Sequence, residues 1–141
     1  MTEISCSYIG ELKCNSIHLS SGEVIRTEAP IDHHGKGENF SPTDLLATSL
    51  GTCLLTIMAI KARNKGWEIK NINLKIKKIM TENKNRKIKE IIIDIFLPID
   101  LSKSKRDFLI NAADQCPVTK SLSPSISLKL NWHFQNEISI I

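Results

Sequence analysis

Cysteine is the residue type in this 141-residue sequence best suited to do chemistry, and it occurs at positions 6, 14, 53 and 116. A thiol becomes a nucleophile only as thiolate, so what surrounds each sulfur decides its use. Cys116 directly precedes Pro117, and proline suits the first position of a helix. That order predicts a sulfur at a helix N-terminus, where free N–H groups and the helix dipole favour negative charge. Cys53 falls near the middle of an apolar stretch, where a cysteine can equally be a small packing hydrophobe. Cys6 and Cys14 flank Gly10-Glu11 in what reads as a first hairpin. A bond between them is open if the turn centres on Gly10, with free thiols the simpler reading. Cys6, Cys14, His18, His33, His34 and His133 form no Cys-x-x-Cys or His-x-x-x-His pair, so no metal site is expected. No Gly-rich phosphate loop and no Ser-His-Asp arrangement accompanies them.

The elements that must hold these residues follow from periodicity and turn chemistry. Ile4–Ile9, Leu12–Leu19 and Glu23–Ala29 are short runs rich in apolar and β-branched residues, broken by Gly10-Glu11 and Ser20-Ser21-Gly22, and predict an antiparallel meander. Residues 30–41 carry Gly35, Gly37 and Asn39 and read as a loop. Ser41-Pro42-Thr43-Asp44 then supplies an N-cap, a first-position proline and an acid near the positive end of the dipole. The helix it opens should reach about Asn64 and stop at Gly66. Leu46, Leu50, Leu54, Leu55, Ile57, Met58 and Ile60 do not fall on one stripe, so this helix demands burial on every side. One small sheet covers one side only, which predicts a second copy of the chain. Trp67–Met80 and Arg86–Pro98 predict two long strands about a turn at Glu82-Asn83-Lys84-Asn85. Ile91, Ile93, Ile95 and Leu97 share one face, so the second strand is expected in the centre of its sheet. Ser102 caps a helix to about Gln115, a short helix follows Pro117, and Ile126–Phe134 is the last strand. The order βββ-α-ββ-α-β is an α+β plan in a single domain, 1–141, with a mostly antiparallel sheet.

Composition limits the function classes. Hydrophobic residues make up 41% and charged residues 24%, as in an ordinary soluble domain. The net charge of +4 concentrates in Lys70, Lys75, Lys77, Lys78, Lys84, Arg86, Lys87 and Lys89. No aromatic residues interleave them for base stacking, so they read as the solvated face and tip of a hairpin, and no nucleic-acid partner is expected. The N-terminus lacks a basic segment followed by an apolar one, and no uninterrupted apolar run reaches the roughly 18 residues of a membrane span. A cytoplasmic protein that holds its cysteines as thiols and has no membrane partner is the expectation.

The flanks of the two later cysteines carry a resemblance. The segment Ser41-Pro42-Thr43-Asp44-Leu45-Leu46, followed by Cys53, resembles the (N/S)-P-x-(E/D)-L-L signature, with cysteine seven positions beyond its second leucine, that opens the central helix of the osmotically inducible protein C and organic hydroperoxide resistance (OsmC/Ohr) superfamily. Cys116-Pro117-Val118-Thr119-Lys120-Ser121-Leu122 resembles the second signature of that superfamily, a Cys-Pro dipeptide leading into a short helix. The intervening strand-strand-helix order matches too, and the likeness covers essentially the whole chain.

The resemblance implies an OsmC-like fold in an intertwined homodimer, two long central helices packed together and wrapped by sheets, with the site at the subunit interface. It also implies a thiol-dependent peroxidase that reduces organic hydroperoxides, and hydrogen peroxide less well. Cys53 would be the attacking thiol and Cys116 its disulfide partner. The family lowers the pKa of the attacking thiol with an arginine from its N-terminal segment; Arg26 is the candidate, though it also reads as an exposed strand arginine. Asp44 and His34 are the candidate substrate-binding residues, His33-His34-Gly35 standing in the loop just before the central helix. No cofactor is implied beyond an external dithiol reductant, a protein partner that would restore the pair. The hydroperoxide-reductase branch carries a glutamate directly after the helix-opening proline, where this chain has Thr43. Asp44 points about 100° further round the helix. Ser-Pro-Thr-Asp is closer to the broader OsmC-like branch. The alternative function is therefore an OsmC-fold dimer that binds a small apolar ligand or senses redox state without peroxidase turnover.

Overall fold

The structure, a computed structural model, describes residues 1–135 and is α+β, with two three-stranded sheets. The chain divides into two compact units, Met1–Leu46 and Ala47–Ile141.

The first unit is the expected meander. Strands β1 (Ile4–Gly10), β2 (Lys13–His18) and β3 (Val24–Glu28) pair antiparallel in sequence order. Cys6 stands opposite Ser16, Tyr8 opposite Cys14, and Asn15 opposite Arg26. The first turn runs through left-handed backbone at Gly10, Glu11 and Leu12, with φ of 93°, 50° and 60°. Leu12 is therefore in the turn and not in β2, as the sequence had suggested, because left-handed backbone cannot enter a ladder.

Beyond β3 the loop folds back on the strand it leaves. One 3-10 turn covers Ile31–His33. The Glu28 carboxylate, 2% exposed, accepts the backbone N–H groups of Lys36 (2.6 Å), Glu38 (3.0 Å) and Asn39 (3.2 Å). These bonds, led by that from Lys36, hold the acid below its ordinary value of 4.5 despite burial. Gly35 sits so close to Ala29 that a Cβ there would lie 1.5 Å from the Ala29 carbonyl oxygen. The Glu28 N–H donates to the Phe40 carbonyl at 3.0 Å, which delivers Ser41 at the end of the loop. Only Thr27, Glu28 and Ser41 are buried in this unit, while Ile4, Tyr8, Val24 and Ile25 are more than half exposed. The meander thus encloses no apolar core of its own.

Helix α1 (Pro42–Asn64) opens with a capping box: Ser41 Oγ accepts the Asp44 N–H at 3.1 Å, and Asp44 Oδ2 accepts the Ser41 N–H at 2.8 Å. Its buried residues in the second unit, Ala47, Leu50, Gly51, Leu54, Met58 and Ala62, recur every three or four positions and make one stripe. The opposite side carries Ser49, Thr52 and Thr56. Thr52 and Thr56 return their hydroxyls to the main chain at Thr48 (2.9 Å) and Thr52 (2.8 Å). By length and composition α1 has the character of a membrane span, with a mean hydropathy of 1.7; its buried stripe packs as a core helix. Leu46 and Ile60 stay exposed.

The second sheet comprises β4 (Asn73–Met80), β5 (Ile88–Pro98) and β6 (Ser127–Gln135), with β5 central as expected. β4 begins six residues later than the sequence suggested. Trp67 instead packs on Phe108, with ring centroids 6.0 Å apart, and Asn71 takes a left-handed φ of 57°, a conformation asparagine tolerates and a ladder does not. β5 and β6 are parallel, because α2 (Lys103–Ala113) and α3 (Pro117–Ser121) form a crossover between them. Ser102 caps α2 through its hydroxyl, which accepts the Lys105 N–H at 3.3 Å. Leu50, Leu54 and Met58 of α1, Ile91, Ile93, Ile95 and Leu97 of β5, and Leu109 of α2 are fully buried in one cluster that also contains Cys116. The lysine-rich hairpin has its outward Lys75 and Lys77 exposed, as the sequence implied.

Candidate active site

Two elements of the second unit converge on one pair of sulfurs. Cys53 rises from the middle of α1 and is half-buried. Cys116 is the residue that caps α3, its backbone extended at φ −60°, ψ 119°, immediately before Pro117. It is fully buried. The two sulfurs lie side by side, close enough for one thiol to donate to the other, and both are free.

Their surroundings differ, and so does their acidity. Burial pushes the Cys53 thiol above its ordinary value of 9.0, and its contact with Cys116 pushes it further; only the Val118 N–H opposes. Burial alone would raise Cys116 as well. The Cys53 thiol, the Thr119 hydroxyl and the N–H groups of Thr119 and Val118 outweigh it and hold Cys116 below 9.0. Of the pair, Cys116 is therefore the more acidic thiol and Cys53 the less acidic. This is the environment that Cys116-Pro117 had suggested from the helix terminus. Thr119 and the Val118 N–H went unread in the sequence; the signal was a threonine three residues after the cysteine, at the third position of the helix it opens.

The remaining sequence candidates lie in or at the edge of the first unit. Arg26 is exposed on β3, where its Nε donates to Asn15 Oδ1 at 3.1 Å. His34 is exposed and takes a left-handed φ of 72° at the end of the 3-10 turn, its ring centroid 5.6 Å from that of His33. Asp44 gives Oδ2 to the cap of α1, and Thr43 Oγ1 meets Ser41 Oγ at 3.1 Å. Within a unit, then, the geometry joins Cys53 to Cys116, and separately Ser41 to Thr43 and Asp44. Arg26 and His34 share no unit with the cysteines. Cys6 and Cys14 are free, Cys6 Sγ lying 3.2 Å from Ser16 Oγ. No group of three or more His, Cys, Asp or Glu among the described residues could hold a metal ion.

Comparison with known proteins identifies the family and the fold. The family model described as OsmC-like protein matches residues 35–131. No curated protein matches the sequence. A Psychrobacter arcticus structure, named for an osmotic stress induced and detoxification response protein, is 42% identical. The match covers 94% of this chain and 96% of that one, with a TM-score of 0.86. Two more distant structures share the fold. The organic hydroperoxide resistance protein OsmC of Legionella pneumophila is 13% identical, over 94% and 96% of the two chains, at a TM-score of 0.74. An organic hydroperoxide resistance protein of Elizabethkingia anophelis is 14% identical, over 96% and 98%, at 0.73. The family match spans both signature cysteines, and the solved structures follow the fold over nearly the full length, so this chain belongs to the OsmC/Ohr superfamily and has the OsmC-like fold.

Proposed function

We propose that the chain is a cytoplasmic thiol-dependent peroxidase for organic hydroperoxides, working through a Cys53–Cys116 disulfide. The observation that carries this reading is the adjacency of the two sulfurs, one half-buried and one enclosed and the more acidic of the two. Cys53, its proton given up, attacks the outer oxygen of the hydroperoxide as thiolate. The S–O bond forms, the O–O bond breaks, and the alkoxide leaves with the Cys53 proton as an alcohol. The Cys116 thiolate then attacks the Cys53 sulfenic acid, forming the S–S bond and expelling hydroxide, which is protonated to water. An external dithiol returns the two electrons. Arg26 would steady the attacking thiolate, with Asp44 and His34 lining the mouth. A homodimer would cover the exposed side of α1, with Leu46 and Ile60, and the first sheet, which lacks an apolar core.

Treatment with one equivalent of cumene hydroperoxide, followed by mass spectrometry, tests the proposal. A Cys53–Cys116 bridge is expected in the native protein. Cys53→Ser should consume no peroxide, and Cys116→Ser should react once and stop. An unmodified Cys53 in the native protein would sink the peroxidase reading. Thr43, standing where the hydroperoxide-reductase branch has its glutamate, favours the second reading, a dimer that binds a small apolar ligand or senses redox state. That reading predicts ligand-dependent stabilisation with no peroxide loss.

A further inference from the structure

Thr119 Oγ1 is the buried side-chain polar atom that, among the described residues, finds no hydrogen-bond partner of ordinary geometry. Buried hydroxyls are seldom left so, because desolvation of an unpaired donor is unfavourable. Exposed hydroxyls on these helices bond back one turn: Thr52 to Thr48, Thr56 to Thr52, and Ser121 to the Pro117 carbonyl at 2.9 Å. Thr119 does not. The carbonyl four residues behind it belongs to Gln115, which lies ahead of α3. What the Thr119 hydroxyl does lie beside is the Cys116 sulfur, whose negative charge it favours.

We propose that the Thr119 hydroxyl is a positioning residue for the reductive half of the cycle, donating to the Cys116 sulfur as that sulfur departs from the disulfide and so making Cys116 the leaving thiolate. The inference rests on the cysteine-pair reading above and extends it from oxidation to recycling. Exposure sets the direction. Cys116 is enclosed and Cys53 is half-buried, so a reductant thiolate reaches Cys53. An S–S bond forms between the reductant and Cys53, the Cys53–Cys116 bond breaks, and its electron pair stays on Cys116. The second thiol of the reductant then displaces Cys53. The reductant leaves as a disulfide, one proton goes to Cys53 and the other to solvent. Thiol–disulfide exchange runs faster when the leaving sulfur is the more acidic one. The hydroxyl that favours charge on Cys116 in the reduced pair therefore acts at this step, where that charge first forms.

The test uses the full chain with its disulfide formed by diamide, which needs no peroxidase activity. Opening by dithiothreitol is followed against pH in the native protein, Thr119→Val, which keeps the volume and loses the hydroxyl, and Thr119→Ser, which restores it. Trapping with 2-mercaptoethanol locates the mixed disulfide by mass spectrometry. Thr119→Val should open roughly tenfold more slowly at a fixed pH, the effect of one hydrogen bond to a charged group. The pH midpoint for Cys116 alkylation in the reduced protein should rise with it, by about one unit. Thr119→Ser should return both towards native, and the mixed disulfide should sit on Cys53. A purely structural threonine would leave the pH profile in place. Equal opening rates for Thr119→Val and native protein, or a mixed disulfide on Cys116, overturn the inference while leaving the peroxidase reading standing. Failure of diamide to bridge Cys53 and Cys116 in the native protein overturns both.

Discussion

Gly51 sets how closely α1 lies on the second sheet, two residues before the candidate nucleophile. A Cβ at this position would meet Ile76 Cδ1 at 2.5 Å, Leu74 Cδ1 at 3.0 Å and Ile76 Cγ1 at 3.4 Å, all on β4. Replacing glycine by alanine inside a helix ordinarily stabilises by about 0.5–1 kcal/mol, since glycine loses more backbone freedom on folding. Overpacking works against that gain. Two side-chain ends must move in a packed layer, and such insertions cost about 1–3 kcal/mol. The balance predicts that Gly51→Ala is destabilising by about 1 kcal/mol. At roughly 2.1 cal/mol/K of unfolding entropy per residue, that is a fall of about 3 °C in Tm. The cause can be isolated. Ile76→Val removes Cδ1, the atom at 2.5 Å, at a cost of about 0.5–1.5 kcal/mol by itself. In that background Gly51→Ala should become neutral or stabilising, giving a coupling of about 1 kcal/mol between neighbouring sites. Thermal and urea denaturation of the four proteins in the cycle supply the numbers. A Gly51→Ala variant more stable than native would refute the reasoning, because it would mean that helix and sheet have slack.

Three further outcomes are expected. Because the folded-state pKa of Glu28 is depressed, the stability it contributes is present above its unfolded value and lost as pH falls through the folded one. The protection factors of the Lys36, Glu38 and Asn39 amides, taken against intrinsic exchange at each pH, should therefore fall below about pH 4.5, the ordinary carboxylate range. Glu28→Gln should show the lower protection already at neutral pH; unchanged protection in that variant would remove Glu28 as the anchor of the loop. For Arg26, alkylation of Cys53 against pH in a background lacking the other three cysteines should shift upward in Arg26→Ala and less so in Arg26→Lys, which keeps the charge without the planar fork. Coincident titrations would place the arginine outside the site. Unfolding should also depend on protein concentration, as for an obligate dimer, and a well-folded monomer in micromolar sedimentation experiments would contradict the homodimer.

Local rules sufficed for much of this protein. Ser41, Pro42 and Asp44 announced the start of α1, and Ser102 the start of α2, because caps and first-turn prolines act through a few adjacent atoms. The alternation of Ile91, Ile93, Ile95 and Leu97 marked β5 as a central strand because a period of two leaves no choice of face. Cys116-Pro117 marked a sulfur at a helix terminus for the same local reason. Other features needed the third dimension. The sequence could not show that Trp67 would pack on α2 and the strand begin only at Asn73, since β-rich composition does not reveal a left-handed Asn71. Nor could it show that Glu28 would be buried by a loop eight to eleven residues away. The apolar character of α1 read as burial all round; within the single chain the second unit covers one stripe and leaves Ser49, Thr52 and Thr56 outside. Most of all, the division of labour between the sulfurs was invisible in spacing alone. Cys53 and Cys116 meet only because the β4–β5 hairpin and α2 bring α3 back against the middle of α1. Which of them is the more acidic depends on burial, on two backbone N–H groups and on one threonine hydroxyl, and those are set by packing.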